Sequence, residues 1–377
     1  MTRLIILIVF FLFSLLTVLR APTYILWKAA ILFTEFSWIF IFLTSLLIIW
    51  GIWIVPYKTV GSVIGIVTLL LFISPILRSY FVSKNIKQNM ENSFQKISSK
   101  INFPDKNPFE INALFSSIKK ITPQNFTYIS YPEISLTLDF YSAKESKKQP
   151  CIIVVHGGSW SAGDNKQLPE LNYYLAQKGF HVAAINYRLA PKFQSPAPIE
   201  DIKNALIFLR ENSKKLNIDT TQFVLLGRSA GAQIALLAAY TLEDISIKGV
   251  IDFYGPADMV WGYSLPANPL VMDSRKVMED YLGGKYETVS QNYFQSSPVE
   301  FVSKNSPPTL IIHGEKDVLV AYEHSHRLEK KLLENHINYY WLKLPWATHG
   351  FDYNIYGPSG QLSTFAVETF LNTITKK

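Results

Sequence analysis

The stretch VLLGRSAGAQIALLAA, residues 224–239, decides the fold. Its first residues belong to a short apolar run of strand type, and the residues after Ser229 form an apolar run of helical type. We therefore expect Ser229 on a turn between a strand and a helix. In a nucleophile elbow such a turn is tight and strained, so the serine hydroxyl projects above the sheet.

The residues on both sides of Ser229 fit that turn. Gly227 and Gly231 lie where a Cβ atom would collide with a neighbouring strand or helix. The N–H group of Ala230 is expected at the N-terminus of the helix, where it would point toward developing negative charge. Since Gly, Ser and Ala are common residues, a nucleophilic role for Ser229 requires partner groups elsewhere in the chain.

The chain after residue 132 alternates between strand and helix patterns. Residues Ile134–Tyr141, ISLTLDFY, alternate strictly and predict a half-buried antiparallel strand. Six short apolar runs follow, with helical stretches between them: CIIVV, HVAAIN, FVLL, GVIDFY, TLIIH and YYWLKL. This pattern predicts an α/β fold with a mostly parallel central sheet flanked by helices. In such a sheet the chemistry belongs at the carboxyl ends of the strands.

Three stretches that leave strand ends supply candidate partners for Ser229. The run VVHGGSW, residues 154–160, predicts an oxyanion hole made by the N–H groups of Gly157 and Gly158 together with Ala230. Asp317 lies just past a strand in LIIHGEKDVLV, and His349 lies in LPWATHGFDY after the last strand. A serine hydroxyl needs a base to take its proton, and the base needs a carboxylate to fix its tautomer.

Other histidines and acids compete for these roles. His156 and His313 also follow strands, but both lie beside glycines and are interpreted as structural. Asp352 and Glu315 are the rival acids to Asp317. The pair His324 and His326 is spaced i, i+2 on a predicted helix, which points the two rings apart, so no metal site is predicted. No cofactor is expected.

The composition argues against nucleic-acid binding and against an intramolecular disulfide. The formal charge is +7, but the Lys and Arg residues are scattered, with no basic block interleaved with aromatics, so nucleic acid is not an expected partner. The single cysteine, Cys151, excludes an intramolecular disulfide. It opens the run CIIVV and is expected in the core.

The first 78 residues have the composition of membrane-spanning helices. Only five charged residues precede Arg78, and the apolar runs among them cover residues 4–19, 36–57 and 59–77. A spanning helix needs about 20 such residues. We expect residues 1–78 to form an all-α transmembrane region of about three helices. A signal peptide is the alternative for the first run, although TVLRAPT is a poor cleavage site and more apolar runs follow.

Residues 79–132 are polar and are predicted to be a juxtamembrane linker, followed by a catalytic domain over 133–377. With three spans, two basic residues lie on one side of the membrane, Arg3 and Lys58. Five lie on the other side: Arg20, Lys28, Arg78, Lys84 and Lys87. Because cytoplasmic loops carry the excess of Lys and Arg, this count favours a cytoplasmic catalytic domain. The lysines after the last run either contact anionic lipid headgroups or belong to a solvated helix.

The set of motifs resembles the α/β-hydrolase superfamily. The similarity is to its carboxylesterase branch, which includes hormone-sensitive-lipase-like and acetyl-esterase-like enzymes, and it extends over roughly Ile134 to Lys377. Six stretches carry it, in the order found in the family: HGGSWSAGD, INYRLAP, SPAPIEDIKNAL, GRSAGA, PPTLIIHGEKDVLV and HGF. One departure is Ser159, which stands where the lipase-like branch usually has a third glycine.

The resemblance implies serine-dependent hydrolysis of esters, with Ser229 as nucleophile, His349 as base and Asp317 as the group that orients the base. The apolar N-terminal runs, which the resemblance does not cover, add membrane anchoring, so we expect a membrane-anchored enzyme acting on short-chain, acetyl or lipid esters, with the lipid bilayer as a partner. The alternatives are an amide hydrolase that uses the same triad, and a catalytically idle hydrolase domain that serves as a binding module. The segment 256–297 is either a cap over the acyl pocket or a surface insertion.

Overall fold

The computed structural model describes residues 1–53, 57–98, 101–144 and 147–376. Its centre is an eight-stranded sheet with the order β1-β2-β4-β3-β5-β6-β7-β8. The strands β1 and β2 run antiparallel to their neighbours, and the others are parallel. The bounds are β1 Gln124–Ser130, β2 Ser135–Tyr141, β3 Gln149–Val155, β4 His181–Ile185, β5 Ile218–Arg228, β6 Ile247–Phe253, β7 Thr309–Gly314 and β8 Tyr339–Leu344. The predicted fold class is confirmed.

Helices cover both faces of the sheet and form the N-terminal region. Their bounds are α1 Thr2–Ser14, α2 Tyr24–Glu35, α3 Ser37–Trp50, α4 Lys58–Phe94, α5 Glu170–Gln177, α6 Ala197–Glu211, α7 Ser213–Leu216, α8 Ala230–Thr241, α9 Met259–Ser264, α10 Ser274–Leu282, α11 Tyr286–Gln295, α12 Glu323–Glu334 and α13 Pro358–Ile374. Short 3₁₀ turns lie at Leu15–Thr17, Ile111–Phe115, Pro298–Phe301 and Phe351–Tyr353.

The alternation of side chains along the central strands divides the core in two. On β3, Ile153 and Val155 point to the core that contains α6 and α8, while Ile152 and Val154 point to the core that contains α5 and α13. All four side chains are buried, which explains why the central strands read as continuous apolar runs. Cys151 is buried at the start of this strand, as expected.

The boundary predicted at residue 78 between the membrane region and the linker lies inside one helix. Helix α4 continues without a break across residues 78 and 79. Its last two turns place Ile86, Met90 and Phe94 on one side, because residues four apart share a helix face. All three are buried in the core that contains α13. This part of the predicted linker is therefore packed into the catalytic domain.

Strand β1 also lies inside the predicted linker. It is an edge strand with the sequence QNFTYIS, and most of its side chains are partly or fully exposed. An edge strand has one neighbouring strand and a solvent-exposed face, so it lacks the apolar run that identifies a central strand. The sheet therefore begins at Gln124, before the predicted domain boundary at 133.

The expectation of about three separate membrane spans is not confirmed. By length and composition, α4 is the one helix among the described residues able to cross a membrane, and the pair α2 and α3, bent by 80°, adds a second if it counts as one broken span. Helices α1 and α3 have 13 and 14 residues, which at 1.5 Å per residue is well short of a hydrocarbon core of about 30 Å. Residues 54–56, at the end of the second apolar run, lie outside the described residues.

Helix α2 docks on the catalytic domain through the buried side chain of Glu35. Glu35 accepts hydrogen bonds from the backbone N–H of Ser359 (3.0 Å) and from its hydroxyl (2.6 Å), in the first turn of α13. Asn354 Nδ2 donates to the backbone carbonyl of Glu35 at 3.1 Å. An acidic group at a helix N-terminus satisfies unpaired N–H groups and interacts favourably with the helix dipole. The N-terminal region is thus joined to the catalytic domain by side chains as well as by the chain itself.

Arg3 is not a loop charge, contrary to the assumption behind the count of basic residues. Its side chain is buried, with Nε donating to the carbonyl of Leu47 (2.8 Å) and Nη2 donating to Ser62 Oγ (3.2 Å). Gly51 and Gly61 leave the room that the guanidinium fills, since a Cβ at either would lie under 3.0 Å from it. The orientation prediction therefore has to be made without Arg3.

The burial of Phe94 predicts that the second half of α4 contributes to the stability of the catalytic domain. Phe94→Ala should lower the free energy of unfolding by about 3–5 kcal/mol, because the ring is fully buried and leaves a cavity. Phe81→Ala is the matched control on the same helix, since that ring is 61% exposed. The measurement is thermal unfolding of the full chain in detergent, followed by near-ultraviolet circular dichroism. Equal effects of the two substitutions would contradict the docking of α4.

Candidate active site

Ser229 lies at the predicted strand-to-helix turn in a strained conformation. It is the N-cap of α8 and has φ 54° and ψ −122°, a region that L-residues rarely adopt. A Cβ at Gly231 would lie 2.3 Å from the carbonyl oxygens of Val155 and His156 at the end of β3. A Cβ at Gly227 would lie 2.2 Å from the carbonyl oxygen of Gly231. Both glycines are therefore required by the close approach of α8 to the sheet.

Asp317 and His349 are brought together as predicted. His349 Nδ1 lies 2.7 Å from Asp317 Oδ2, while Asp317 Oδ1 accepts the N–H groups of Leu319 (2.8 Å) and Val320 (2.9 Å). Burial by itself would raise the pKa of the Asp317 carboxyl, but the neighbouring imidazoles of His349 and His313 hold that pKa well below its usual range. The carboxylate can therefore orient the His349 ring and stabilise its protonated form.

Ser229 and His349 are not hydrogen-bonded to each other in this structure. Within the described part of the chain, the hydroxyl of Ser229 has no hydrogen-bond partner. Catalytic hydrogen bonds are often long in ligand-free enzymes and tighten when substrate binds. The ring of His349 is held from two sides, by Tyr254 at 4.3 Å and by Trp27 at 6.3 Å between ring centroids.

The rival acid Asp352 has a different role. It is buried beside Arg228, the residue that precedes Ser229, and forms an ion pair with it. The hydroxyl of Tyr254 donates a hydrogen bond to the same carboxylate. Asp317, and neither Asp352 nor Glu315, is the acid hydrogen-bonded to His349.

His313 is closer to the chemistry than the sequence suggested. Its Nε2 lies 3.2 Å from Asp317 Oδ2, and its Nδ1 lies 2.7 Å from Ser325 Oγ. It therefore contacts the same carboxylate oxygen as His349 and supports the acid from the other side. His156 is structural, as predicted: its ring stacks on Tyr187 at 4.3 Å and its Nδ1 lies 2.7 Å from the Gly157 carbonyl oxygen.

The candidate oxyanion hole differs from the prediction at one residue. The N–H of Gly157 is donated to Gln167 Oε1 at 2.8 Å, so this donor is already used. In the described residues, the N–H groups of Gly158, Ser159 and Ala230 have no hydrogen-bond partner. Ser159 and Ala230 line the same cavity as Ser229. The sequence did not single out Ser159 as a candidate donor, although it stands at the third-glycine position of the motif.

A cavity of about 760 Å³ opens above Ser229. One side is made by the segment 256–297, whose lining residues include Trp261, Leu265, Met272 and Met278. These side chains are largely apolar, which suits an acyl group or another apolar part of a substrate. The segment contains α9, α10 and α11 and covers one side of the site as a cap would.

The N-terminal region also reaches this cavity. Arg20, Ala21 and Pro22 line it, and Trp27 Nε1 donates a hydrogen bond of 2.9 Å to the backbone carbonyl of His349. The sequence predicted these residues to belong to a membrane anchor. No local signal identifies them as part of the site, because the contact joins residues 322 positions apart.

The described ranges contain no cluster of three or more His, Cys, Asp or Glu residues able to hold a metal ion. His324 and His326 have different partners. His324 Nδ1 accepts the N–H of Asp258 at 3.2 Å, whereas His326 Nδ1 lies 3.9 Å from Glu329 Oε2. Burial lowers the pKa of His324 to about 3, so this ring in the cavity wall is neutral.

Comparison with known proteins places the similarity in the C-terminal part. The BD-FAE family model matches residues 138–332, just over half of the chain. Esterase LipC of Mycobacterium tuberculosis (strain ATCC 25618 / H37Rv) is 30% identical over 258 residues, and probable carboxylic ester hydrolase LipM of the same strain is 27% identical over 237 residues. These alignments cover 63% and 59% of this chain, and 62% and 54% of the two relatives.

A solved structure shows the same fold. It belongs to a study of two fungal esterases from Rhizomucor miehei and superposes with a TM-score of 0.56 at 19% identity. The superposition covers 78% of this chain and 89% of the fungal chain. The chain thus shares the α/β architecture of that structure, while it spans only about three fifths or less of the length of the two curated relatives.

The lowered pKa of Asp317 predicts a pH-dependent contribution to stability. A carboxyl whose pKa is depressed by folding contributes stability above its unfolded pKa, near 4, and loses that contribution as the pH falls toward its folded pKa. The difference in melting temperature between the wild type and Asp317→Asn should therefore shrink as the pH falls from about 5 to about 2. Asp105→Asn, at an exposed position, is the control and should show no such trend. A difference that stays constant over this range would contradict the argument.

Proposed function

This chain belongs to the BD-FAE family of α/β-hydrolases, and on that basis we propose that it is a membrane-anchored carboxylic ester hydrolase with Ser229 as its nucleophile. The observation that carries the proposal is the buried Asp317–His349 hydrogen bond of 2.7 Å beside a serine held in an elbow conformation. The substrate class is a short-chain, acetyl or lipid ester. The esterase names of LipC and LipM support ester hydrolysis.

In the proposed reaction, Ser229 Oγ attacks the acyl carbon while His349 Nε2 takes the hydroxyl proton. The C–O bond to the alcohol then breaks, and the alcohol leaves with the proton from His349. Water attacks the acyl-enzyme with the same histidine as base, which releases the carboxylic acid and restores the serine. Asp317 stays ionised and stabilises the imidazolium, in keeping with its depressed pKa.

The tetrahedral oxyanion is proposed to accept hydrogen bonds from the N–H groups of Gly158, Ser159 and Ala230. These donors have no other partner in the described residues, and Ala230 lies at the N-terminus of α8. Fixed donors in a site that excludes water stabilise developing charge without reorganising at the moment of reaction. Gly157 takes part only if Gln167 gives up its hydrogen bond.

Membrane anchoring is assigned to α4. The apolar part of this helix ends at Leu77, and Arg78, Lys84 and Lys87 follow it, whereas Lys58 stands alone at its start. Without the buried Arg3, the positive charge still falls on the C-terminal side of the span. The positive-inside rule therefore favours a catalytic domain in the cytoplasm.

Two substitutions test the chemistry. Ser229→Ala should abolish hydrolysis of p-nitrophenyl acetate and labelling by a fluorophosphonate, because the attacking oxygen is removed. Asp317→Asn should lower kcat by up to about 10⁴-fold, because the base loses the carboxylate that fixes its tautomer. Ser290→Ala, at an exposed serine, is the control for both measurements. Tryptic mass spectrometry locates the label.

Activity of Ser229→Ala near that of the wild type would remove this serine from the mechanism. A folded wild type that takes no label would favour the idle binding module. Faster cleavage of p-nitroacetanilide than of p-nitrophenyl acetate would favour the amide hydrolase.

The cytoplasmic orientation predicts that a membrane-impermeant fluorophosphonate labels Ser229 in cell lysate and leaves it unlabelled in intact cells. The physical reason is the excess of basic residues after the apolar part of α4. A permeant fluorophosphonate serves as the control, since it should label both samples. Equal labelling of intact cells and lysate by the impermeant probe would place the domain on the outer side.

A further inference from the structure

Hydrogen bonds hold the segment that precedes α2 against the active-site cavity, where it forms one wall. Arg20 Nη2 donates to the carbonyl of Glu315 at 3.0 Å, and Asn268 Nδ2 donates to the carbonyl of Pro22 at 3.2 Å. The N–H of Tyr24 donates to the carbonyl of Leu270 at 3.0 Å. Three hydrogen bonds thus fix this short segment to loops on both sides of the cavity. The wall is a built part of the site.

The residues just before this segment are hydrogen-bonded to α4, which fixes their position along that helix. Thr17 Oγ1 donates to the carbonyl of Leu71 at 3.0 Å, and Arg78 Nη1 donates to the carbonyl of Thr17 at 3.5 Å. Arg20 lies three positions after Thr17, and an extended chain covers at most about 3.6 Å per residue. The cavity wall therefore begins within about 11 Å of the level at which Thr17 contacts α4.

That level is where α4 changes from apolar to polar. Before it, large apolar side chains are exposed along the helix: Val60, Val63, Ile66, Val67, Leu70 and Leu77. After it come Tyr80 and Phe81, with Lys84 Nζ lying 4.6 Å from the centroid of the Tyr80 ring. Aromatic and basic residues in this order are typical of the boundary between hydrocarbon and headgroups. With α4 as the anchor, Thr17 and the cavity wall lie at the membrane interface.

The surface beside the cavity is apolar and exposed. Ile25 is 78% exposed at the start of α2, and Leu270, whose carbonyl bonds Tyr24, is 69% exposed. Leu19, just before the cavity wall, is 56% exposed. We call Leu19, Ile25 and Leu270 the rim. A group of large exposed apolar side chains beside a site marks a surface that contacts a partner or a membrane. Thr17, two positions before Leu19, contacts α4 at Leu71, within the stretch whose exposed side chains are apolar, and this points to lipid as the partner.

We infer that the active-site cavity opens at the membrane interface, with the rim in contact with lipid, and that its substrates are esters held in the bilayer. This inference rests on the proposed function and narrows it from short-chain, acetyl or lipid esters to lipid-dissolved ones. An apolar chain then passes from the bilayer over the rim to Ser229 without crossing water. The N-terminal region contributes a wall of the substrate site in addition to anchoring the enzyme.

The test uses the full chain reconstituted in phosphatidylcholine vesicles and two substrates with the same leaving group. p-Nitrophenyl acetate reaches the site from water, and p-nitrophenyl palmitate is dissolved in the same bilayer. The double variant Ile25→Glu with Leu270→Glu should lower the rate on the palmitate ester at least about tenfold, because two carboxylates resist contact with lipid. The rate on the acetate ester should stay within about twofold. Ile245→Glu is the matched control, since Ile245 is 90% exposed and lies before β6, at the sheet end opposite the site.

The outcomes separate this inference from the proposed function. Equal losses on both esters, or no loss on the palmitate ester, would overturn the inference and leave the esterase proposal intact. Hydrolysis of acetate but not of palmitate by the wild type would do the same. A wild type that hydrolyses neither ester and takes no fluorophosphonate would overturn the esterase proposal and this inference with it.

Discussion

The close approach of α8 to the end of β3 is the constraint on which the site depends. Gly231 lies against the carbonyl oxygens of Val155 and His156, where no side chain fits. This contact holds Ser229 in its left-handed conformation and places it beside the loop that contains Gly158. The proposed nucleophile and the candidate oxyanion donors are thus adjacent because two neighbouring parallel strands end at the same edge.

The proposed acid and base follow strands on the other side of β5, at the same edge of the sheet. Strands β7 and β8 lie beyond β6 in the sheet, and the loops that follow them contain Asp317 and His349. A buried ion pair between Arg228 and Asp352 joins the end of β5 to the turn just after His349. Removing one partner of such a pair leaves an unpaired buried charge, which is strongly destabilising. The pair therefore links the loops that contain Ser229 and His349.

The N-terminal region and the catalytic domain form a continuous structure. Glu35 caps the first turn of α13, the last turns of α4 enter the core, and Trp27 donates to the carbonyl of His349. Each contact joins a helix of membrane-like composition to an element that supports the site. The loop of the proposed base is consequently held in part by the region that was expected to serve only as an anchor.

The sequence alone determined the central strands, the elbow turn at Ser229 and the choice of Asp317 and His349 as candidate acid and base, because apolar runs, glycine spacing and short motifs are local properties. The tertiary structure alone decided that Gln167 occupies the N–H of Gly157, that β1 completes the sheet edge, and that Trp27 contacts the base loop. These features depend on which distant surfaces meet. Residues such as Trp27 and His349, 322 positions apart, leave no periodic or spacing signal in a single chain, since their contact is set by packing of whole elements.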